Sequence, residues 1–261
     1  MVVGVSPDVG MLVHVDEAKR REALGLVRAG RVYDLGRVLD ESVPVFPGRY
    51  FRQTLVTTAH HDGGHWITEQ IAGTQQLGTH LDALSHLQRE DGRGYGGWSV
   101  AELAGTAGVR RLGVETVPQI VTRGWLVDAT GVNVIGLEHL GGIDPTPGDA
   151  VLFHTGWGEH WDDAETYLSR EPGPGMEVAA WLAGRGVALT GADTWSFGPV
   201  PAEQRPFEVP QFLNVEHGVF VVENLDTAAL AADGVREFAL ILTHPKLRGA
   251  TGAWTSPIAL V

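Results

Sequence analysis

Apolar residues in this chain fall into short runs, most of them four to eight residues long, separated by Gly- and Pro-rich turns. That run length belongs to strands more than to helices. Gly124 to Asp128, Ala150 to His154, Val187 to Thr190, Val219 to Val222 and Phe238 to Thr243 read as buried strands. Phe51 to Thr58 alternates weakly and reads as a strand, and Ile67 to Leu77 reads as another. Between these two, His60-His61-Asp62-Gly63-Gly64-His65 is polar and turn-rich, which predicts a loop. Helical spacing is confined to a few segments. Asp16 caps a stretch running through Arg28 and closed by Gly30. Ser99 and Glu102 have the spacing of a capping box. Met176 to Ala183, Gln211 to Glu216 and Thr227 to Ala232 complete the helical set, with a single turn at Gly136 to Leu140. Strands and helices mix without a regular βαβ repeat, which predicts an α+β or layered β/β/α design rather than a doubly wound sheet.

The 261 residues suit a single domain, with residues 1–30 as a helical extension at its N-terminal side. A formal charge of −13 argues against a polyanionic partner, so no nucleic acid is expected. The one basic group, Lys19-Arg20-Arg21 with Arg28 and Arg31, reads as a solvated helix face. No apolar run reaches the length of a membrane span, and Met1 to Val15 lacks the pattern of a secretion leader. The chain contains no cysteine, which excludes disulfides and thiolate chemistry and fits a cytoplasmic location. There is no dinucleotide-binding glycine fingerprint after a strand, no Walker A sequence and no Gly-x-Ser-x-Gly elbow.

The candidate chemistry concentrates in Gln76-Leu77-Gly78-Thr79-His80-Leu81-Asp82-Ala83-Leu84-Ser85-His86. On an extended backbone, side chains two apart share a face. His80 and Asp82 then point at one place, with Gly78 and Gln76 behind them, while Leu77, Thr79 and Leu81 point into packing. His86 returns to the same place if the strand ends in a turn. Imidazole and carboxylate donors together suit zinc, manganese or iron(II). The plainer alternative is a strand end with a hydrogen-bonded core histidine and an Asx turn.

This stretch resembles the signature His-x-Gly-Thr-His-x-Asp-x-Pro-x-His of the metal-dependent cyclase/hydrolase family that includes bacterial kynurenine formamidase and isatin hydrolase. Gln76 stands where that pattern has its first His, and Leu84 where it has Pro. Further blocks are similar in kind and order: Val121 to Asp128, Pro147 to Leu152 with Thr155-Gly156-Trp157, Gly191-Ala192-Asp193-Thr194, Val222-Glu223-Asn224-Leu225, and Leu247 to Gly252 with Ser256-Pro257-Ile258-Ala259. The resemblance spans roughly Val32 to Leu260. It implies a swivelling β/β/α fold, a homodimer or homotetramer, and hydrolysis of a cyclic or linear amide or ester with the help of divalent metal.

Carried over residue by residue, the resemblance makes His80 and Asp82 metal ligands. Gln76 either donates its carbonyl oxygen as a third ligand or orients a bound water. An oxygen in place of an imidazole favours manganese over zinc. His86 is the candidate general base, or else a further ligand. Glu223 matches a downstream acidic ligand. The histidine that accompanies it in two-metal members is missing, since Val209-Pro210-Gln211-Phe212 contains none. One ion, manganese or zinc, is therefore expected, held by Gln76, His80 and Asp82, with Glu223 and Gln211 one layer further out and Glu223 counted with His86 as catalytic. His60, His61 and His65 read as solvated loop residues. His154 reads as facing substrate or as packing. Phe46, Trp66, Trp125, Trp157 and Trp195 are available as pocket walls, which hints at an aromatic or apolar substrate. The leading expectation is a metal-dependent hydrolase of a small amide or lactone, in the manner of kynurenine formamidase. A cyclase or dehydratase, and an inactive family member, are the alternatives.

Overall fold

A computed structural model describes residues 8–59 and 62–261. Among these residues, nine strands form one mixed sheet. Its members are β1 (Val32–Asp34), β4 (His80–Asp82), β5 (Ile120–Asp128), β6 (Ala150–His154), β7 (Leu189–Ala192), β8 (Phe220–Glu223), β9 (Glu237–Leu242), β10 (Gly252–Trp254) and β11 (Ile258–Leu260). The spatial order is β1-β11-β9-β5-β6-β7-β8-β4-β10. Strands β5 to β8 run parallel to one another, and the pairings on either side of them are antiparallel. Two further strands, β2 (Phe51–Ala59) and β3 (His65–Gly73), pair only with each other as a long antiparallel ribbon. This is the expected α+β architecture.

The parallel strands are apolar throughout because both their faces are covered. Val151, Leu152, Phe153, Leu189, Phe220, Val221 and Val222 are almost fully buried. Helix α2 (Met176–Gly184) adds Val178, Ala179 and Leu182 to the same core. Strand limits follow the expected ones within a few residues, and Ser99 and Glu102 form the expected capping box.

Two departures have clear causes. Helix α1 (Glu17–Leu24) is capped by Asp16, whose carboxylate accepts from the Lys19 N–H at 2.9 Å, but it stops well short of Arg28. Ala29 and Arg31 instead donate their N–H groups to the Val261 carbonyl, so the chain leaves the helix to join the sheet edge. Lys19 is not solvated: it is 8% exposed and pairs with the buried Asp149 at 2.8 Å. The second departure lies at the signature. β3 ends at Gly73, and Gly78 has φ +56, so no continuous strand carries Gln76 into the cluster. Strand β4 is a separate three-residue element of the main sheet.

Candidate metal centre

Strand β4 lies between β8 and β10. Its alternation holds: Leu81 turns into the core, while His80 and Asp82 share the opposite face. Glu223 is the direct cross-strand partner of His80. Directly opposite residues on one face of an antiparallel pair have neighbouring side chains, so three side chains converge. One donor atom from each of His80, Asp82 and Glu223 lies within 4.8 Å of the others. The His80 Nε2 stands 3.2 Å from Glu223 Oε2 and 3.6 Å from Asp82 Oδ1.

The donor chemistry fits a cation. His80 Nδ1 donates to the Gly78 carbonyl at 2.8 Å, an acceptor that leaves no choice of tautomer. The lone pair on Nε2 therefore faces two carboxylates. His80 Nε2 and Asp82 Oδ1 are buried and make no hydrogen bond among the described residues. Acceptors facing acceptors in a dry site are costly unless a proton or a cation lies between them. Burial lowers the pKa of His80 and raises that of Asp82. Burial also pushes Glu223 up to about 7, with His86 and Arg49 pulling the other way.

Gln76 reaches this place by a different route from the one its spacing suggested. It sits on the irregular segment before β4, and its amide nitrogen donates to Thr251 Oγ1 at 3.0 Å. Gly252, paired with Asp82 across the β4–β10 register, leaves the space it occupies. A Cβ at 252 would fall 2.7 Å from Gln76 Nε2 and 2.8 Å from the Leu81 carbonyl. The bond to Thr251 uses the nitrogen of the side-chain amide and leaves its oxygen, Oε1, as the end with electrons to offer a cation. His86 follows the turn after β4, with Nε2 3.9 Å from Asp82 Oδ1. Gln211 does not join the cluster: its amide donates to the Gln88 carbonyl at 3.1 Å and its oxygen accepts from Arg205.

A cavity of about 230 Å³ opens beside the cluster. Asp82, His86 and Glu223 face it, and Phe46, Trp195 and Phe207 supply aromatic walls. Phe46 meets Trp195 edge to face at 4.5 Å. Of the five aromatic residues offered as walls by the sequence, only Phe46 and Trp195 line it. Trp66 lies on the exposed ribbon, Trp125 donates to Asp149, and Trp157 donates to the Tyr167 carbonyl. His154 bonds Thr227 Oγ1 at 2.8 Å, away from the cavity. His65 is exposed at the start of β3, while His60 and His61 lie outside the described residues. A larger hollow of about 330 Å³, lined by Leu126, Asp128, His139 and Arg236, holds none of the cluster residues.

Three residues carry the site without an obvious sequence signal. Asn224 donates to the Gly78 carbonyl at 2.9 Å and accepts from the Tyr167 hydroxyl at 2.8 Å, so it braces the group that orients His80. Glu171 is a fully buried carboxyl that accepts from the Ser196 N–H beneath the cavity wall. Burial, and then Glu223, raise its pKa well above the usual range. Arg49 lines the cavity from the far side of the chain. Only the position of Asn224, next to Glu223, could have flagged it.

Comparison with known proteins places this geometry. The family model described as putative cyclase matches residues 33–199. A solved structure described as a novel cyclase is 25% identical, with a TM-score of 0.87, covering 97% of this chain and 96% of its own. Isatin hydrolase A from Ralstonia solanacearum is 23% identical with a TM-score of 0.68, covering 88% of this chain and 92% of its own. A protein described as a predicted metal-dependent hydrolase from Bacillus stearothermophilus is 20% identical, with a TM-score of 0.64, covering 89% and 98%. No curated protein matches the chain. With the model matching well over half of its residues and β4 carrying the signature, the chain belongs to the cyclase family.

Proposed function

We propose that this protein is a metal-dependent hydrolase that opens a C–N amide or lactone bond in a small, cyclic or aromatic substrate. The observation that carries the reading is the buried trio His80, Asp82 and Glu223, with two donor atoms left without hydrogen bonds beside a cavity. His80, Asp82 and Glu223 would hold one divalent ion, with the Gln76 side-chain oxygen, Oε1, as a fourth donor. That oxygen-rich set favours manganese over zinc. A divalent ion there supplies Lewis acidity and an acidified water near neutral pH.

The chain's own residues do the rest. Phe46 and Trp195 hold an apolar ring against the cluster. His86, on the cavity side of Asp82, takes the proton from the attacking water at its ring nitrogen and returns it to the leaving nitrogen or oxygen. Asn224 and the Gly78 carbonyl keep the His80 tautomer fixed throughout. The proposed assembly is a homodimer or homotetramer. No described helix is long and apolar enough to cross a membrane.

The resemblance to a structure described as a cyclase supports a second reading, in which the same residues serve a cyclisation with loss of water. Product mass separates the two. A panel of cyclic amides and lactones incubated with manganese- or zinc-loaded protein should give products heavier by one water. Products lighter by one water, formed when the matching open-chain amino or hydroxy acids are incubated in the same way, would establish the cyclase. No turnover, together with no metal retained after dialysis, would leave an inactive family member.

A further inference from the structure

Resting on that reading, we infer that Arg49 is the specificity-determining residue of the cavity and that it receives a carboxylate carried by the substrate. The turn that places it is written in the sequence. Phe46-Pro47-Gly48-Arg49 closes with the Arg49 N–H donating to the Phe46 carbonyl at 3.0 Å. Pro47 occupies the second position and Gly48, at φ +87, the third, which is the pattern of a type II turn. The turn sets Phe46 and Arg49 side by side, and both line the cavity with Asp82, His86 and Glu223.

The guanidinium is held but not neutralised. One nitrogen, Nη1, donates to the main-chain carbonyl of Gln76 at 2.7 Å, and the group lies 5.6 Å from the centroid of the Phe46 ring. Among the described residues Arg49 forms no ion pair with a carboxylate. Asp82 and Glu223 contribute two negative charges to the cluster, which one divalent cation balances. Arg49 is then a surplus positive charge beside aromatic walls, with most of its fork unused. A guanidinium in that setting matches the planar, two-oxygen shape of a carboxylate. The preferred substrate is therefore an aromatic amide or lactone with a carboxylate within reach of the scissile carbonyl. The ring lies against Phe46 and Trp195 and the anionic end against Arg49.

Benzoate and its neutral counterpart benzamide are suitable probes, since they share the ring and differ in the charge. Binding to manganese-loaded protein is followed by tryptophan fluorescence and calorimetry. Benzoate should bind about tenfold or more tightly than benzamide, and Arg49→Met should remove that preference. Arg49→Lys, which keeps the charge without the fork, should keep part of it. Gly48→Ala strains the turn while retaining the guanidinium, and should weaken benzoate several-fold even if Arg49→Met does not fold. Benzoate affinity unchanged in Arg49→Met, or in both Arg49→Lys and Gly48→Ala, overturns the inference, because the carboxylate then sits elsewhere. Equal turnover of cyclic amides with and without a ring carboxylate overturns it too, and leaves the hydrolase standing. Arg49-dependent benzoate binding with no turnover of any amide or lactone defeats the hydrolase reading alone.

Discussion

The buried carboxyl of Glu223 makes the most quantitative prediction. Burial moves it from an ordinary 4.5 to about 7 in the metal-free protein. The folded chain then binds its proton more tightly than the unfolded chain does. Stability from this group is fully present below 4.5 and is lost as pH rises through about 7. The linkage amounts to about 3 kcal/mol over that window. Glu223→Gln keeps the shape of the protonated form and removes the titration. His80 titrates in the opposite sense, because burial lowers its pKa; it is present in both proteins, and its coupling to Glu223 across 3.2 Å is part of what their difference reads. In chelator, Glu223→Gln should gain about 3 kcal/mol on wild type between about pH 4.5 and pH 7.5. For a chain of 261 residues this is a relative rise in Tm of about 6 °C. Differential scanning calorimetry at the two pH values measures it. Added manganese should reverse the ranking at the higher pH, since the ion replaces the proton on wild type only. A Tm difference that stays constant with pH would show that Glu223 does not titrate across the folding transition, and the reasoning from burial would fail.

Three other outcomes follow from the geometry. His80→Ala or Asp82→Ala should lower bound metal well below one ion per chain, as read by elemental analysis of protein purified without chelator. His86→Ala should keep the ion and lose about a hundredfold or more in turnover, and retained turnover would remove His86 from proton transfer. Asp149→Ala should destabilise the fold by about 3 kcal/mol in urea unfolding, because it leaves the buried Lys19 only the half-exposed Glu22 as counter-ion and takes from Arg123 and Trp125 their shared acceptor.

Much was decided locally, and was therefore legible in the chain. Asp16, Ser99 and Glu102 act on backbone within three residues of themselves, so their caps follow from spacing. The apolar runs at Ala150–His154 and Phe220–Glu223 become buried parallel strands because only a covered sheet accepts such runs. The two-residue period of a strand likewise places His80 and Asp82 on one face, whatever the rest of the fold does. Contacts between distant segments could not be read this way. Glu223 meets His80 through the β8–β4 register, 143 positions apart in the chain. Gln76 is lodged by the missing side chain of Gly252, and Lys19 is drawn inward by Asp149. Arg49 enters the cavity only because its turn docks beside the main-chain carbonyl of Gln76. Periodicity and capping act over a few residues and are written in the order of the amino acids. Which carboxylate faces which imidazole, and which cation is left without a partner, is set by packing between strands that the linear order does not pair.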